Sequence, residues 1–511
     1  MSTTGGRGSI VRLTFLTTTL SLFVQVASGQ TGQSATPQMQ PPWMSVIDLG
    51  DGESRDVKLR DGTTVRVALI RRYEIRDAVT DAVRVASVRI SVNGQEIVLG
   101  CGNYNLPRSA GGAQVDCAVT RSFLNNARSN IWALDKDVRL RLWSANSPWV
   151  EPGTYVYPVK QRWFATNTQM SNEPSFVDGS EMPARRTIYY HYGLDIGGAE
   201  KLVQVVSATD GVVVVRGKAA LPEYTKSPFT ELNYDGVIVL DARGWFHWYF
   251  HLASIDGGVR LGQTIRKGEN IGLMGKEGSA GCWSHLHYEI RALQPSGRAG
   301  ILEGYAFLWE AYQKQYSPEI VAVARPHAFA WVGDPVVLDG SRSWARAGQI
   351  KSYEWILSNG LKVQGTTARM TYEHPGTYSE TLKVRDSRGN TAYDFAVVQI
   401  SARLSGRVEE EDMPPTIHAA FAPTSNLRAG QPIAFLVRTC RTVEGHETWD
   451  FGDGTPLVTV TSDGCANPQG ERGYARTEHT YAKPGDYLVS VERANRRGEK
   501  ATARLHVRIG R

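Results

Sequence analysis

Beyond its first 30 residues the chain has no run long and apolar enough to cross a bilayer, which takes about 20 consecutive apolar residues, so no membrane span is expected. Cysteine is scarce, with five in 511 residues, and none follows the first apolar segment closely enough to take a lipid. Charge of one sign is nearly lacking too. The formal net charge of +6 is small for this length; it would help an approach to anionic polymers such as cell-wall material, and no nucleic-acid partner is expected. Helical pattern is rare: Leu302 to Tyr316 is the one stretch that reads as a helix of some length, with Pro318 to stop it.

What is present is β-type text in several domains. A chain of 511 residues exceeds what one core organises, so three or four domains are expected. Residues 1–29 carry Arg7 and Arg12, a Thr-rich apolar run from Leu13 to Ala27, and small residues before Gln30, the pattern of a cleavable export signal. A secreted or periplasmic protein follows from it. Residues 30–44 are polar and Pro-rich, as in a flexible linker. From 45 to 154 an N-terminal β domain is expected, with hairpins at Asp61-Gly62 and Asn93-Gly94. From 155 to 316 the pattern continues, with Val203–Val206 and Val212–Val215 flanking Asp210-Gly211, and Val237–Leu240 facing Trp245–Phe250 across Ala242-Arg243-Gly244.

Two homologous modules close the chain. Thr371-Tyr372-Glu373-His374-Pro375-Gly376-Thr377-Tyr378 recurs as Thr480-Tyr481-Ala482-Lys483-Pro484-Gly485-Asp486-Tyr487, and Arg388-Gly389 recurs as Arg497-Gly498. They occupy 318–402 and 416–511, separated by an acidic, Pro-containing linker at 403–415. The fold class expected is mainly β.

Export favours oxidation. Cys101 is expected to pair with Cys117, and Cys440 with Cys465, since each pair falls within one domain. Cys282 is then the odd one. Ala280-Gly281-Cys282-Trp283 bears a superficial likeness to a papain-type nucleophile, but a His three residues later in strand text does not fit that class. A zinc-ligand role is the other alternative. A partly buried thiol beside the groove is the favoured reading.

Chemistry concentrates in the histidines. Five of the 11 fall between residues 191 and 287, where an even spread would place about two. His191 and Asp195 stand four apart, and His285 and His287 two apart; both are metal-ligand spacings. On a strand, residues two apart share a face, so His285 and His287 project into one cleft. Gly193, Gly197 and Gly198 disfavour a helix at the first pair and place it on a loop entering a strand. Two imidazole nitrogens and one carboxylate leave a fourth tetrahedral position open, as at a catalytic zinc. His247, four before His251, is read as a surface residue.

His-x-Gly-x-Asp at 191–195, Tyr249-Phe250-His251-Leu252, Leu261-Gly262-Gln263 through Lys267-Gly268 to Ile271-Gly272, and Ser284-His285-Leu286-His287-Tyr288-Glu289 follow in one order. That series resembles the lysostaphin and LytM type of zinc endopeptidase over about 130 residues. The resemblance implies a strongly curved antiparallel sheet whose groove holds one Zn2+ per catalytic domain, bound by His191, Asp195 and His287, with His251 and His285 as catalytic histidines. It implies hydrolysis of peptide bonds in peptidoglycan stems or cross-links. A neutral imidazole can accept or return a proton near pH 7, which suits His251 and His285 to that work. The alternatives are an inactive cell-wall or surface binding protein, and a secreted proteinase acting on ordinary proteins.

Trp449-Asp450-Phe451-Gly452-Asp453-Gly454 with His479-Thr480-Tyr481 resembles a PKD domain, an immunoglobulin-like β-sandwich. The first repeat keeps Tyr353-Glu354-Trp355 but has Ile356 to Gly360 where the Asp-Gly loop would stand. Such modules imply contact with a polysaccharide or protein surface. Asp450 and Asp453 lack the alternating ligand series of a calcium loop and are read as a turn.

Overall fold

A computed structural model describes residues 43–124, 130–168, 170, 190–403 and 412–510. The export signal, most of the first linker and most of the 403–415 linker lie outside the described residues. Mainly antiparallel β structure makes up the rest.

Alternating apolar residues build the N-terminal sheets. One runs Ser45–Leu49, Val138–Ser144, Ala113–Thr120, Arg108–Ala110; the other runs Ser54–Lys58, Thr64–Arg76, Val83–Val92, Gln95–Gly100. They share one core that includes Val65, Val67, Ile90, Val115 and Leu140. Both expected hairpins form. Asn93 and Gly94 each take positive φ (48° and 85°), the combination that a two-residue hairpin turn matching the strand twist requires.

The central region is an eight-stranded antiparallel sheet. Its path runs Ala219–Ala220, Gly211–Arg216, Val237–Leu240, Phe246–Phe250, His285–Leu293, Ala299–Ile301, with Leu194–Gly197 added beside His285–Leu293 and Thr264–Ile265 beside Gly211–Arg216. The hairpin across Ala242-Arg243-Gly244 forms. The one expected at Asp210-Gly211 does not: Gln204–Val206 leaves to pair with Asn270–Met274 in a separate three-stranded sheet. Periodicity identified both strands, but partner choice is decided by distant residues. The helix Tyr305–Tyr316 packs Tyr305, Phe307, Leu308, Trp309 and Tyr312 into the core under this sheet. Ser317 caps it in a left-handed conformation, directly before Pro318.

The repeats are two β-sandwich modules with separate cores, built around the fully buried Trp355 and Trp449. Their matched turns make the same bond: Tyr378 Oη donates to the His374 carbonyl and Tyr487 Oη to the Lys483 carbonyl, both at 2.8 Å. Gly376–Thr377 pairs in parallel with Lys500–Ala501, so one sheet runs through both modules. Asp450 and Asp453 accept local turn bonds from the Gly452 and Thr455 amides.

Candidate active site

Strand alternation divides the chemistry of the central sheet between two faces. His285, His287, Glu289 and Arg291 point one way along their strand; Leu286, Tyr288 and Ile290 point into the core. Phe250 stands opposite His287 on one side and Asp195 stands opposite it on the other. Register alone therefore brings Asp195 to His287. The loop before it carries Gly193 at φ 77°, where a Cβ would lie 2.9 Å from the Tyr288 carbonyl oxygen and 3.3 Å from the His287 ring. Only glycine lets the chain pass this close, and that passage delivers His191.

Three donor atoms then converge. His191 Nε2 and His287 Nδ1 are 3.1 Å apart, and Asp195 Oδ1 lies 3.1 Å from the first and 2.9 Å from the second. Those edges are close to the roughly 3.3 Å that tetrahedral bonds of about 2 Å demand. Two imidazole nitrogens and one carboxylate oxygen are also the donor chemistry of a borderline-soft divalent ion. These residues fit a zinc ion. Behind them, His287 Nε2 donates to Glu289 Oε2 (3.2 Å), and Glu289 is held by the guanidinium of Arg291, which stacks 3.7 Å over Trp248. An acceptor behind a ligand ring fixes which nitrogen faces the ion.

Electrostatics agrees with a cation at this point. Burial disfavours the charged form of His287, yet its hydrogen bonds to Asp195 and Glu289 outweigh that and push it up to about 9. Burial alone would raise Asp195, but the charges of His191 and His285 hold it well below the usual carboxylate range. Positive charge is thus favoured where the donors meet.

His251 and His285 flank the trio, their ring centroids 4.8 Å apart. His285 Nδ1–H donates to the Trp283 carbonyl (2.9 Å), and its Nε2 lies 3.4 Å from Asp195 Oδ2. Burial brings His285 down to about 4, so its ring is neutral at pH 7. His251 sits at φ 67°, just after the strand Phe246–Phe250. Its Nδ1 faces the Glu277 carbonyl (2.8 Å) and Asp235 Oδ2 (3.1 Å), and Asp235 also accepts from the His251 amide (3.0 Å). Both rings therefore carry their hydrogen on Nδ1 and keep the Nε2 lone pair for another partner. None of the five residues is more than 9% exposed. Asp195 and His285 line one wall of a cavity of about 780 Å³ whose other walls include Thr377, Gln399, Ile417 and His418 of the C-terminal modules.

All five expected site residues thus come together. His247 does not lie on the surface: it is fully buried on the core face, between Asp241 Oδ2 (2.9 Å) and Tyr288 Oη (2.8 Å). Its strand was recognisable, but the sheet is covered on both faces, so no side chain of that strand reaches solvent. The cysteine pairing also differs. Cys282 is bonded to Cys465, 183 residues away in the second module, while Cys101 and Cys117 face each other as thiols in the N-terminal domain. Pairing by domain failed because the second module packs against the segment carrying Cys282. Sequence reasoning gave no role to Asp235 or Glu289. Glu289 could have been found, being two residues beyond His287 on the same strand face, whereas Asp235 lies in loop text without periodicity.

Comparison with known proteins places these residues. Residues 189–298 match the model of peptidase family M23, and residues 317–400 and 418–508 each match a PKD domain model. Among solved structures, Helicobacter pylori Csd3 aligns at 14% identity over 52% of this chain and 82% of its own, with a TM-score of 0.20. The PKD domain from the KIAA 1837 protein aligns at 28% identity over 17% of this chain and 91% of its own, with a TM-score of 0.15. The fibronectin(III)-like modules of Clostridium thermocellum CbhA align at 14% identity over 37% and 93%, also at 0.15. The chain carries a peptidase domain of family M23 followed by two PKD domains.

Proposed function

We propose that this is an exported zinc-dependent endopeptidase that hydrolyses peptide bonds in peptidoglycan stems or cross-links. The observation that carries the reading is the convergence of His191, Asp195 and His287 within 4.8 Å, beside two imidazoles whose Nδ1 atoms are already engaged. A zinc ion held by those three side chains would polarise the scissile carbonyl and supply a nucleophilic water near neutral pH.

The chain's own residues do the rest. His285, neutral and with Nε2 directed to the site, accepts a proton from the attacking water. His251, steadied by Asp235 and the Glu277 carbonyl, donates a hydrogen bond or a proton to the collapsing tetrahedral centre. Assignment of the two roles can be exchanged without altering the geometry. Glu289 fixes the tautomer of His287. The cavity beside Asp195 and His285 is large enough for a short peptide.

Purified protein incubated with peptidoglycan gives the test. Release of muropeptides is expected to stop on chelation and return with added zinc, and their masses identify the bond. Binding to peptidoglycan with no release, in protein shown by elemental analysis to hold zinc, would overturn the reading.

A further inference from the structure

Three sulfurs meet beside this site. Cys282 belongs to the peptidase domain, three residues before His285, while Cys440 and Cys465 belong to the second PKD domain, and their Sγ atoms all lie within 4.8 Å of one another. The disulfide joins Cys282 to Cys465 and so crosses between domains. Cys440 ends the strand Pro432–Cys440 and is a thiol.

The segment that Cys282 anchors is the one on which the catalytic geometry hangs. Its carbonyls at Glu277 and Trp283 receive the Nδ1–H groups of His251 and His285. The second PKD domain grips the same segment by three further bonds. Gln469 Nε2 donates to the Gly278 carbonyl (2.6 Å), Arg438 Nη1 to the Cys282 carbonyl (3.0 Å), and the Ser284 amide to Tyr474 Oη (2.7 Å). All three use backbone groups of the peptidase domain, so they hold its path rather than any one side chain. Both half-cystines sit in the left-handed region, Cys282 at φ 85° and Cys465 at φ 65°, where a residue with a Cβ is strained.

We propose that this disulfide is a latch that opens by internal thiol–disulfide exchange. The Cys440 thiolate attacks Cys465 Sγ. A Cys440–Cys465 bond forms, the Cys282–Cys465 bond breaks, and Cys282 leaves as a thiolate that takes up the proton Cys440 released. One disulfide and one thiol are present before and after, so no oxidant or reductant is consumed. The exchange moves the covalent tie from between the domains to within the second PKD domain, and it frees Cys282 to leave its strained conformation. The PKD domain then rests on the peptidase domain through hydrogen bonds and packing alone, and the wall it contributes to the cavity can withdraw. The latch would control substrate entry, a consequence that rests on the peptidase reading above; the exchange itself does not.

The test follows connectivity in the full-length oxidised chain. After incubation at pH 8, acid quenching and alkylation, digestion without reductant is expected to yield Cys282–Cys465 with alkylated Cys440, and Cys440–Cys465 with alkylated Cys282. The second form should grow with time and vanish in Cys440→Ser. In Cys282→Ser, which can form only the Cys440–Cys465 bond, amide hydrogen exchange over residues 278–288 should be at least about tenfold faster than in Cys440→Ser. Persistence of Cys282–Cys465 alone in the wild-type chain, or release of Cys282 at the same rate in Cys440→Ser, would overturn the exchange. Equal amide exchange in the two variants would overturn the latch. If connectivity shifts and the segment loosens but neither variant hydrolyses peptidoglycan, the latch stands and the peptidase reading falls.

Discussion

His247 and His287 lie on neighbouring strands of one sheet, each buried and each within 3.2 Å of a carboxylate, yet they are opposite kinds of histidine. His247 Nε2–H donates to Asp241, and its Nδ1 accepts from Tyr288 Oη, which is also bonded to Tyr155. Every polar atom has its own partner. Around His287, two imidazole nitrogens and a carboxylate oxygen crowd one point and cannot satisfy one another without a proton or a cation. Burial lowers the pKa of His247, although Asp241 opposes it, whereas His287 is raised to about 9. What separates a structural histidine from a candidate ligand is therefore convergence of lone pairs, not burial or the presence of an acid.

The sharpest way to break the comparison is Asp195→Ala. Removing the carboxylate shared by His191 and His287 is expected to reduce hydrolysis to background and to drop zinc content from one ion per chain to none by elemental analysis. Retained zinc in that variant would mean that the trio is a structural cluster like that of His247. The converse is Asp241→Asn. Asp241 holds both His247 and the buried Arg243, so its loss leaves a buried cation without its counter-charge and is expected to cost about 3 kcal/mol. Calorimetry should record a lower melting temperature with zinc content unchanged.

His251 stands between the two cases, since its Nδ1 is engaged by protein groups while its ring lies beside those of His285 and His287. Asp235→Asn is expected to lower kcat by about 10²-fold, the range of a positioned acid or base losing its orientation. Zinc content and KM should stay unchanged. A further step down, Glu289→Gln should weaken zinc binding by about 10-fold to 100-fold, read by competition with a coloured chelator.

Much of this was legible in the sequence, and the exceptions share a cause. The hairpins at Asp61-Gly62 and Asn93-Gly94, the helix ending at Tyr316 and the repeat around the Pro-Gly turns all depend on local chemistry. The meeting of Asp195 and His287 follows from a two-residue period and a strand register. Cys282 with Cys465, Gln204–Val206 with Asn270–Met274, and the burial of His247 are choices between partners far apart in the chain. Local patterns rank such partners poorly because each candidate strand or thiol looks the same until the domains pack. Asp235 was missed for a related reason: it sits in the Tyr234-Asp235-Gly236 loop, and its only distinction is the ring it meets 16 residues later.

The smallest expected effect separates the two histidines by pH. In metal-free protein His287 titrates at about 9, above its ordinary 6.5, so it contributes stability that is fully present below 6.5 and is lost as pH rises through 9. His247 has the opposite sign: its lowered pKa keeps it neutral in the fold, so its contribution is present above 6.5 and is lost as pH falls and the unfolded chain takes up a proton. A ligand nitrogen must be deprotonated to bind metal. Zinc added to metal-free protein at pH 7.5 in weak buffer should therefore release about one proton per ion, and fewer as the pH approaches 9. Glu289→Gln removes one of the two acids holding that proton and should lower the pH at which release fades. Asp241→Asn should leave it where it was, because His247 carries no proton to displace. If zinc released no proton at pH 7.5, the positive charge assigned to His287 would be wrong, and the two histidines would differ in position alone.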